Sequence, residues 1–400
     1  MPVQQPAKQK TPSISKSRKM QWNSTVDSPM ILTNRSIYTN TFLDIMNMPQ
    51  IAFNKSYKNP CWVGIKDNGP LDDGRFHCLP YFYIIGVKKS GTSDLYSRIS
   101  YHPDILKKHV FKESQWISRC RFYGSFPVRL CDSPRYQALA KKVDMRSLGF
   151  YTGLYAPSSS VIRKTYHVGH SENNNSGKIF GDATPANFHL HYKWSELPGN
   201  EGLTEPKYTN FHYIKHLIPE AKIIVIFRDP VSRLFSDFKY EQIGKVMAKP
   251  EIMLRQFHNQ CVQMIKHYEE CFNVYSRRQC IFDSTKPMTR QRMMFTAGFY
   301  AFFMKEMFEV FDKKNILPIL MTDYTSNMKN TLSKVFDFLE LDQPNEEQWT
   351  IILNEEVMNE SKGDKRIEMF DETKRVLQEF YRPLNEEMAK LMNDSRYLFN

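Results

Sequence analysis

Two lysines, two serines, a threonine and a glycine stand together in Lys88-Lys89-Ser90-Gly91-Thr92-Ser93, after the apolar run Tyr83-Ile84-Ile85-Gly86. The order predicts a strand, a glycine-bounded loop and a helix N-terminus. Backbone N–H groups and the helix dipole at such a junction favour an anion, and Lys89, Thr92 and Ser93 add side-chain donors. The ATPase loop places its lysine directly after the second glycine. Here Thr92 follows Gly91, and the lysine comes before it. The loop therefore suits a phosphate-like group without being a Walker A loop, which points to an activated nucleotide other than ATP.

A second set of polar residues follows the apolar run Lys222-Ile223-Ile224-Val225-Ile226-Phe227. Arg228 leaves that run, and Pro230 suits the first turn of a helix. Ser232 and Ser236 are spaced i,i+4 and share one helix face. Arg228 with Ser236 could clamp a second phosphate. The competing reading pairs Arg228 with Asp229 or Asp237 and leaves Ser236 merely small. Two anion sites at one sheet edge suit a nucleotide with phosphates at both ends, and that tips the balance.

The elements that must position these residues alternate along the chain. Strands are expected at 81–86, 178–180, 222–227 and 316–321, with helices at 91–101, 209–217, 250–270, 289–312, 326–340, 346–354 and 371–392. Ser158-Ser159-Ser160 and residues 171–177 read as surface loops. This alternation predicts an α/β fold, a P-loop-like parallel sheet with helices on both faces and ligands at the carboxyl ends of the strands. Residues 1–50 are polar and read as a disordered stem, with Met30-Ile31-Leu32 and Phe42-Leu43-Asp44-Ile45-Met46 as patches able to dock on the body. Residues 51–400 read as a single catalytic domain.

Lys and Arg total 55 against 43 Asp and Glu, a net charge of +12. That suits an anionic partner such as a nucleotide, a sulfated polysaccharide or a membrane surface. The basic residues are dispersed and no reader motif is present, which argues against nucleic acid. Seven cysteines include no Cys-x-x-Cys pair, and no cluster of metal ligands stands out, so no metal is expected. Cys61 with Cys78 and Cys271 with Cys280 bracket short loops. They form two disulfides in an oxidising compartment and reduced thiols in a cytosolic one. Sequons at Asn23, Asn34, Asn54, Asn174, Asn359 and Asn393 lean toward a glycoprotein of the secretory route. No apolar segment reaches the ~18 residues needed to span a bilayer, and Met1-Pro2-Val3-Gln4-Gln5 does not open a signal peptide. The expectation is a cytosolic chain, or one whose membrane anchor lies outside these residues.

The two anion-binding elements together resemble the cofactor motifs of Golgi-type carbohydrate sulfotransferases, which use 3′-phosphoadenosine 5′-phosphosulfate (PAPS). The segments Asn59-Pro60-Cys61-Trp62, Cys78-Leu79-Pro80-Tyr81, Thr92-Ser93-Asp94-Leu95-Tyr96, Gly298-Phe299-Tyr300-Ala301 and Phe380-Tyr381-Arg382-Pro383-Leu384-Asn385 are similar to the chondroitin N-acetylgalactosamine 4-sulfate 6-O-sulfotransferase branch. Val87-Lys88-Lys89-Ser90 departs from that branch, which commonly carries Pro-Lys-Cys, and keeps the lysine. The resemblance implies that Lys89, Ser90, Gly91, Thr92 and Ser93 hold the 5′-phosphosulfate and that Arg228 and Ser236 hold the 3′-phosphate. It implies Glu113 as catalytic base, since a carboxylate that takes the acceptor proton raises the nucleophilicity of the hydroxyl. Lys89 would then stabilise charge on the leaving phosphate, and Lys112 would steady the sulfuryl oxygens. Lys362 and Gly363 match a loop closing over the cofactor phosphates. Gly181-Asp182-Ala183-Thr184-Pro185 matches a segment lining the acceptor cleft, against a plain turn after a strand. Read from the residues alone, Lys112-Glu113 and the run around Lys362 are ordinary solvated charges, and His109 is a weaker candidate base.

The resemblance further implies a glycosaminoglycan acceptor, in-line transfer to the 6-hydroxyl of N-acetylgalactosamine, and a Golgi or secreted location. The alternatives are a non-catalytic glycosaminoglycan-binding relative and a P-loop kinase or NTPase. The glycine–lysine order and the lack of a magnesium-binding carboxylate strand count against the last of these.

Overall fold

The computed structural model describes residues 45–64, 71, 73–107, 111–122, 131–168, 177–191, 193–242, 249–283, 289–356 and 367–399. Its centre is a parallel sheet of β3 (Phe82–Gly86), β4 (Gly181–Asp182), β5 (Lys222–Phe227) and β6 (Ile316–Leu320) in the order β4-β3-β5-β6. A small antiparallel hairpin of β1 (Cys61–Val63) and β2 (Phe76–Cys78) precedes it.

The central strands are apolar throughout because both faces are covered. Tyr83, Ile85, Ile223, Val225 and Phe227 enter one core, while Phe82, Ile84, Ile224 and Ile226 enter the other, as the period of two requires. The second core is closed by Leu95 and Ile99 of helix Thr92–Ile99, by Leu332, Val335 and Phe336 of helix Met328–Phe338, and by Trp349 and Ile352 of helix Glu346–Asn354. The first is larger and takes in helices Asn210–Leu217, Pro230–Gln242, Pro250–Val274, Tyr300–Val310 and Asp371–Met392. The α/β sheet with helices on both faces is therefore as expected, and both polar turns leave carboxyl ends of neighbouring strands.

Several boundaries differ from the sequence reading. The strand expected at 178–180 lies at Gly181–Asp182, paired with Phe82 and Tyr83, and Ile179 makes only an isolated bridge to Ile105. Gly181 is required there, since a Cβ would lie 2.3 Å from the Phe82 ring. The helix expected over 289–312 is two, Arg290–Thr296 and Tyr300–Val310. It breaks around Gly298, where a Cβ would lie 2.8 Å from the Tyr381 ring. The helix expected over 326–340 breaks at Asn327, whose side chain caps Met328–Phe338 by accepting from the Asn330 N–H. Ser158 and Ser159 are buried in helix Ala156–Val168 rather than looped at the surface. Ile45 and Met48 are buried in the first core and the Met48 carbonyl meets His216 Nε2 at 2.9 Å, so residues 45–50 go with the body and not with the stem.

Disulfides join Cys61 to Cys78 and Cys271 to Cys280, and a third joins Cys120 to Cys131. Cys261 is free and buried. The first bridge links residues that face each other across the β1–β2 hairpin.

A buried histidine helps fix the chain between β4 and β5. His191 Nδ1 accepts from the Asn210 N–H at 3.2 Å, and Nε2 faces the Phe188 carbonyl at 3.3 Å. One nitrogen accepts and the other donates, so the ring is neutral, and burial pushes it down to about 3. A depressed histidine pKa means that the unfolded chain binds the proton first. Stability is therefore intact above about pH 6.5 and lost as the pH falls toward 3. Urea unfolding at pH 5 should show about 2 kcal/mol less stability from this group than at pH 7, and His191→Gln should flatten that slope.

Candidate active site

The loop between β3 and helix Thr92–Ile99 turns on two left-handed residues, Lys89 at φ 70° and Gly91 at φ 88°. Glycine takes that conformation freely, whereas lysine gives up about 1–2 kcal/mol. Strain of this kind persists where the surroundings enforce it and is common at ligand clamps. Ser90 is fully buried, and its Oγ has no hydrogen-bond partner among the described residues. Thr92 and Ser93 form the first turn of the helix, with Gly91 as its N-cap.

The two lysines of the loop do different things. Lys88 Nζ lies 2.7 Å from Asp237 on helix Pro230–Gln242, and Asp237 also takes Arg233 at 3.4 Å. The Lys89 ammonium lies 4.2 Å from the Tyr240 ring centroid. Burial lowers its pKa, opposed by the charge of Asp237. The role of Lys88 as tether depends on a partner 149 residues away, which local spacing does not reveal.

Arg228 reaches the same place. Its Nη1 donates to the Lys89 carbonyl at 3.4 Å, and its own carbonyl accepts from the Tyr300 hydroxyl at 2.8 Å. Neither acidic residue suggested as its partner takes it. Asp229 caps its own helix, accepting from Val231 N at 3.2 Å and Ser232 N at 2.9 Å, while Asp237 is engaged by Lys88 and Arg233. Among the described residues Arg228 makes no carboxylate ion pair, and burial lowers its pKa. Ser236 is 8% exposed, one turn beyond Ser232 on the same helix.

Lys112 and Glu113 sit beside the loop helix. Lys112 Nζ donates to Ser93 Oγ at 2.8 Å and pairs with Glu113 Oε1 at 2.9 Å. Gln115 Nε2 reaches Glu113 Oε2 at 3.4 Å. Gln115 is itself held at φ 49°, with its N–H on Thr184 Oγ1 at 3.1 Å. The structure thus gathers Lys89, Ser90, Gly91, Thr92, Ser93, Lys112, Glu113 and Arg228 at one sheet edge, with Ser236 on the helix that follows Arg228. Lys362, Gly363 and His109 lie outside the described residues.

Asp182 anchors the Glu113 segment and is more than a turn residue. It is fully buried at the end of β4 and accepts from the hydroxyls of Ser114, Thr184, Tyr151 and Tyr155. Burial raises its pKa against those four donors. The Ala183 N–H donates to the Lys112 carbonyl at 2.9 Å, so backbone and side chain together bind 112–115 to β4. The pattern Gly-Asp-Ala-Thr-Pro was the available signal, but the tyrosines it needs lie 31 and 27 residues earlier. The site combines a polar loop at a helix N-terminus, a guanidinium that makes no carboxylate ion pair among the described residues, and a part-exposed carboxylate.

The sulfotransferase domain matches residues 79–384, a span that holds every residue of this site. The chain belongs to the sulfotransferase domain family. Carbohydrate sulfotransferase 15 of Mus musculus is 31% identical over 327 residues, covering 81% of this chain and 55% of that protein. The Homo sapiens protein of the same name is 30% identical with the same coverage. The chain thus spans about half the length of these curated relatives. Among solved structures, a sulfotransferase from Alicyclobacillus acidocaldarius aligns with 80% of this chain and 98% of its own at 18% identity and a TM-score of 0.49.

In this sulfotransferase-family chain the Asp182 cluster should be costly to remove. Asp182→Ala strips four buried hydroxyls of their acceptor and should destabilise by about 3–5 kcal/mol. Asp182→Asn keeps an acceptor oxygen and should cost less than half of that. Urea-unfolding midpoints of the two variants measure the difference.

Proposed function

We propose that this chain transfers a sulfuryl group from PAPS to a sugar hydroxyl of a glycosaminoglycan, namely the 6-hydroxyl of N-acetylgalactosamine 4-sulfate in chondroitin sulfate. The observation that carries the reading is Arg228, a guanidinium without a carboxylate partner among the described residues, hydrogen-bonded to the carbonyl of the loop's own Lys89. A donor with phosphates at both ends matches that pairing of sites. The orphaned Ser90 hydroxyl and the left-handed turns at Lys89 and Gly91 fit one phosphate, while Arg228 and Ser236 fit the other.

When bound, the donor supplies the activated sulfuryl group and a phosphate leaving group. The rest falls to side chains. Glu113 accepts the proton of the attacking hydroxyl on a carboxylate oxygen, with Lys112 and Gln115 fixing its orientation. Lys89 and the first-turn N–H groups of helix Thr92–Ile99 oppose negative charge developing on the leaving oxygen. Lys112 is assigned to the sulfuryl oxygens, a role that its hydrogen bond to Ser93 of the loop helix supports. Lys362 and Gly363 are assigned to the donor phosphates by their match to the family loop.

The net charge of +12 supports a polyanionic acceptor. The three disulfides support an oxidising compartment, and we assign the chain to the Golgi lumen. Among the described residues no helix is long and apolar enough to cross a membrane. Residues 51–400 are assigned to the catalytic domain, together with 45–50, and the polar residues before them to a stem.

Calorimetry with 3′-phosphoadenosine 5′-phosphate, paired with transfer of labelled sulfate to a glycosaminoglycan panel and disaccharide analysis of the product, tests the reading. The wild type should bind the bisphosphate and label the 6-position. Arg228→Ala should weaken that binding by roughly 10–100-fold, the worth of a charged hydrogen bond. Glu113→Ala should keep binding and lose on the order of 10²–10⁴ in kcat. Absence of heat with the bisphosphate would sink the donor assignment, and an active Glu113→Ala enzyme would remove Glu113 from the chemistry.

A further inference from the structure

The two neighbouring lysines of the loop after β3 meet the same helix in different ways. Lys88 Nζ lies 2.7 Å from Asp237 and 3.5 Å from Glu241, two carboxylates one turn apart on helix Pro230–Gln242. Lys89 pairs with no carboxylate among the described residues. Its Nζ lies over the ring of Tyr240, 4.2 Å from the centroid. Tyr240 follows Ser236 by four residues, as Ser236 follows Ser232, so the three share one helix face. The ring is 53% exposed and belongs to neither hydrophobic core, so packing does not account for it.

A carboxylate and an aromatic face hold an ammonium with different consequences. A carboxylate cancels the charge, and an incoming phosphate must first displace that charge-assisted bond. The face of a ring attracts the cation through its quadrupole and adds no net charge. The Lys89 ammonium is therefore held while its charge stays uncompensated. Holding it matters because it rides on a flexible four-carbon stem, which loses rotamer freedom when it is fixed on a ligand. Two points define where the stem runs: the left-handed backbone at φ 70° and the Tyr240 ring.

We propose that Tyr240 is a positioning residue for Lys89, its ring holding the ammonium where it meets the charge on the leaving phosphate. The inference rests on the sulfotransfer reading above and adds a residue to its machinery. Ser236, one turn earlier on the same face, is assigned to the other phosphate. One face of one helix then serves both ends of the donor.

3′-Phosphoadenosine 5′-phosphate carries the charged leaving group, so calorimetry with it reads the effect. Tyr240→Leu should weaken binding roughly three- to tenfold, the worth of a partly exposed cation–π contact. Tyr240→Phe should keep most of the affinity. Phenylalanines of increasing ring fluorination in place of Tyr240 should lose it in order, since fluorine drains negative charge from the ring face. In a Lys89→Met background Tyr240→Leu should cost nothing further. The contact itself is read by NMR of protein whose lysines carry isotope-labelled methyl groups. The Lys89 signal, assigned by its loss in Lys89→Met, should lie upfield through the ring current, and Tyr240→Leu should return it to the position of exposed lysines. A loss that persists in Lys89→Met assigns Tyr240 to the nucleotide itself and overturns the proposal. So does tighter binding by Tyr240→Leu, or a flat fluorination series. Bisphosphate binding with an unshifted Lys89 signal overturns the positioning role and keeps the donor reading. A shifted signal without bisphosphate heat overturns the donor reading, and the use proposed for the contact falls with it.

Discussion

The buried carboxylate of Asp237 is the interaction on which the site depends. It stands between Lys88 of the donor loop and Arg233 of its own helix, at 2.7 and 3.4 Å. A charge so deeply buried is tolerated only when paired, and removing one partner of such a group typically costs about 3–5 kcal/mol. The pairing therefore locks the loop after β3 to the helix after β5. Those are the two elements that carry the cradle and the Arg228–Ser236 pair. Without that lock the two could shift independently, and a ligand gripping both would have to order them itself.

The same interaction divides the cations by task. Lys88 and Arg233 are used up in neutralising Asp237, and Asp229 caps the helix at Val231 and Ser232. Asp229 and Asp237 are thus already engaged, which is why the proposed anion falls to Arg228 and Lys89. On the other flank Asp182 acts with hydroxyls alone. Four donors around one buried carboxylate hold the Glu113 segment without placing a competing cation behind it. Glu113 is left with Lys112 and Gln115 as its neighbours, and its side chain is still 32% exposed, as its proposed role as base requires.

What could be read in advance followed the range of the interaction. β3 and β5 were legible because a strand buried on both faces is an unbroken apolar run, and the turn chemistry at Gly91 and Pro230 is local. Helix Glu346–Asn354 and helix Asp371–Met392 were legible from their periodicity. The break at Gly298 was not, because it answers to the Tyr381 ring, far away in sequence. The serines at 158–160 read as a loop by composition, yet Ser159 satisfies its hydroxyl on the Tyr155 carbonyl at 3.0 Å and so sits inside a helix. Cys120–Cys131 lacked the flanking cues of the other two bridges. In the site, the residues proposed to bind anions came from motifs, whereas Lys88, Asp182 and Gln115 take their meaning from partners that only the folded chain brings near.

The floor beneath Arg228 is aromatic. Phe227 packs on Tyr300 at 5.1 Å and on Tyr397 at 5.8 Å, and Phe399 closes over Tyr300 at 5.9 Å. Residues 395–399 are translated long after the sheet whose edge they buttress. A nascent chain emerging from the ribosome would hold β3, β5 and both polar turns well before Tyr397 arrives. The proposed nucleotide site should then gain its full affinity only after residues 395–399 have been added and have packed beneath Phe227 and Tyr300.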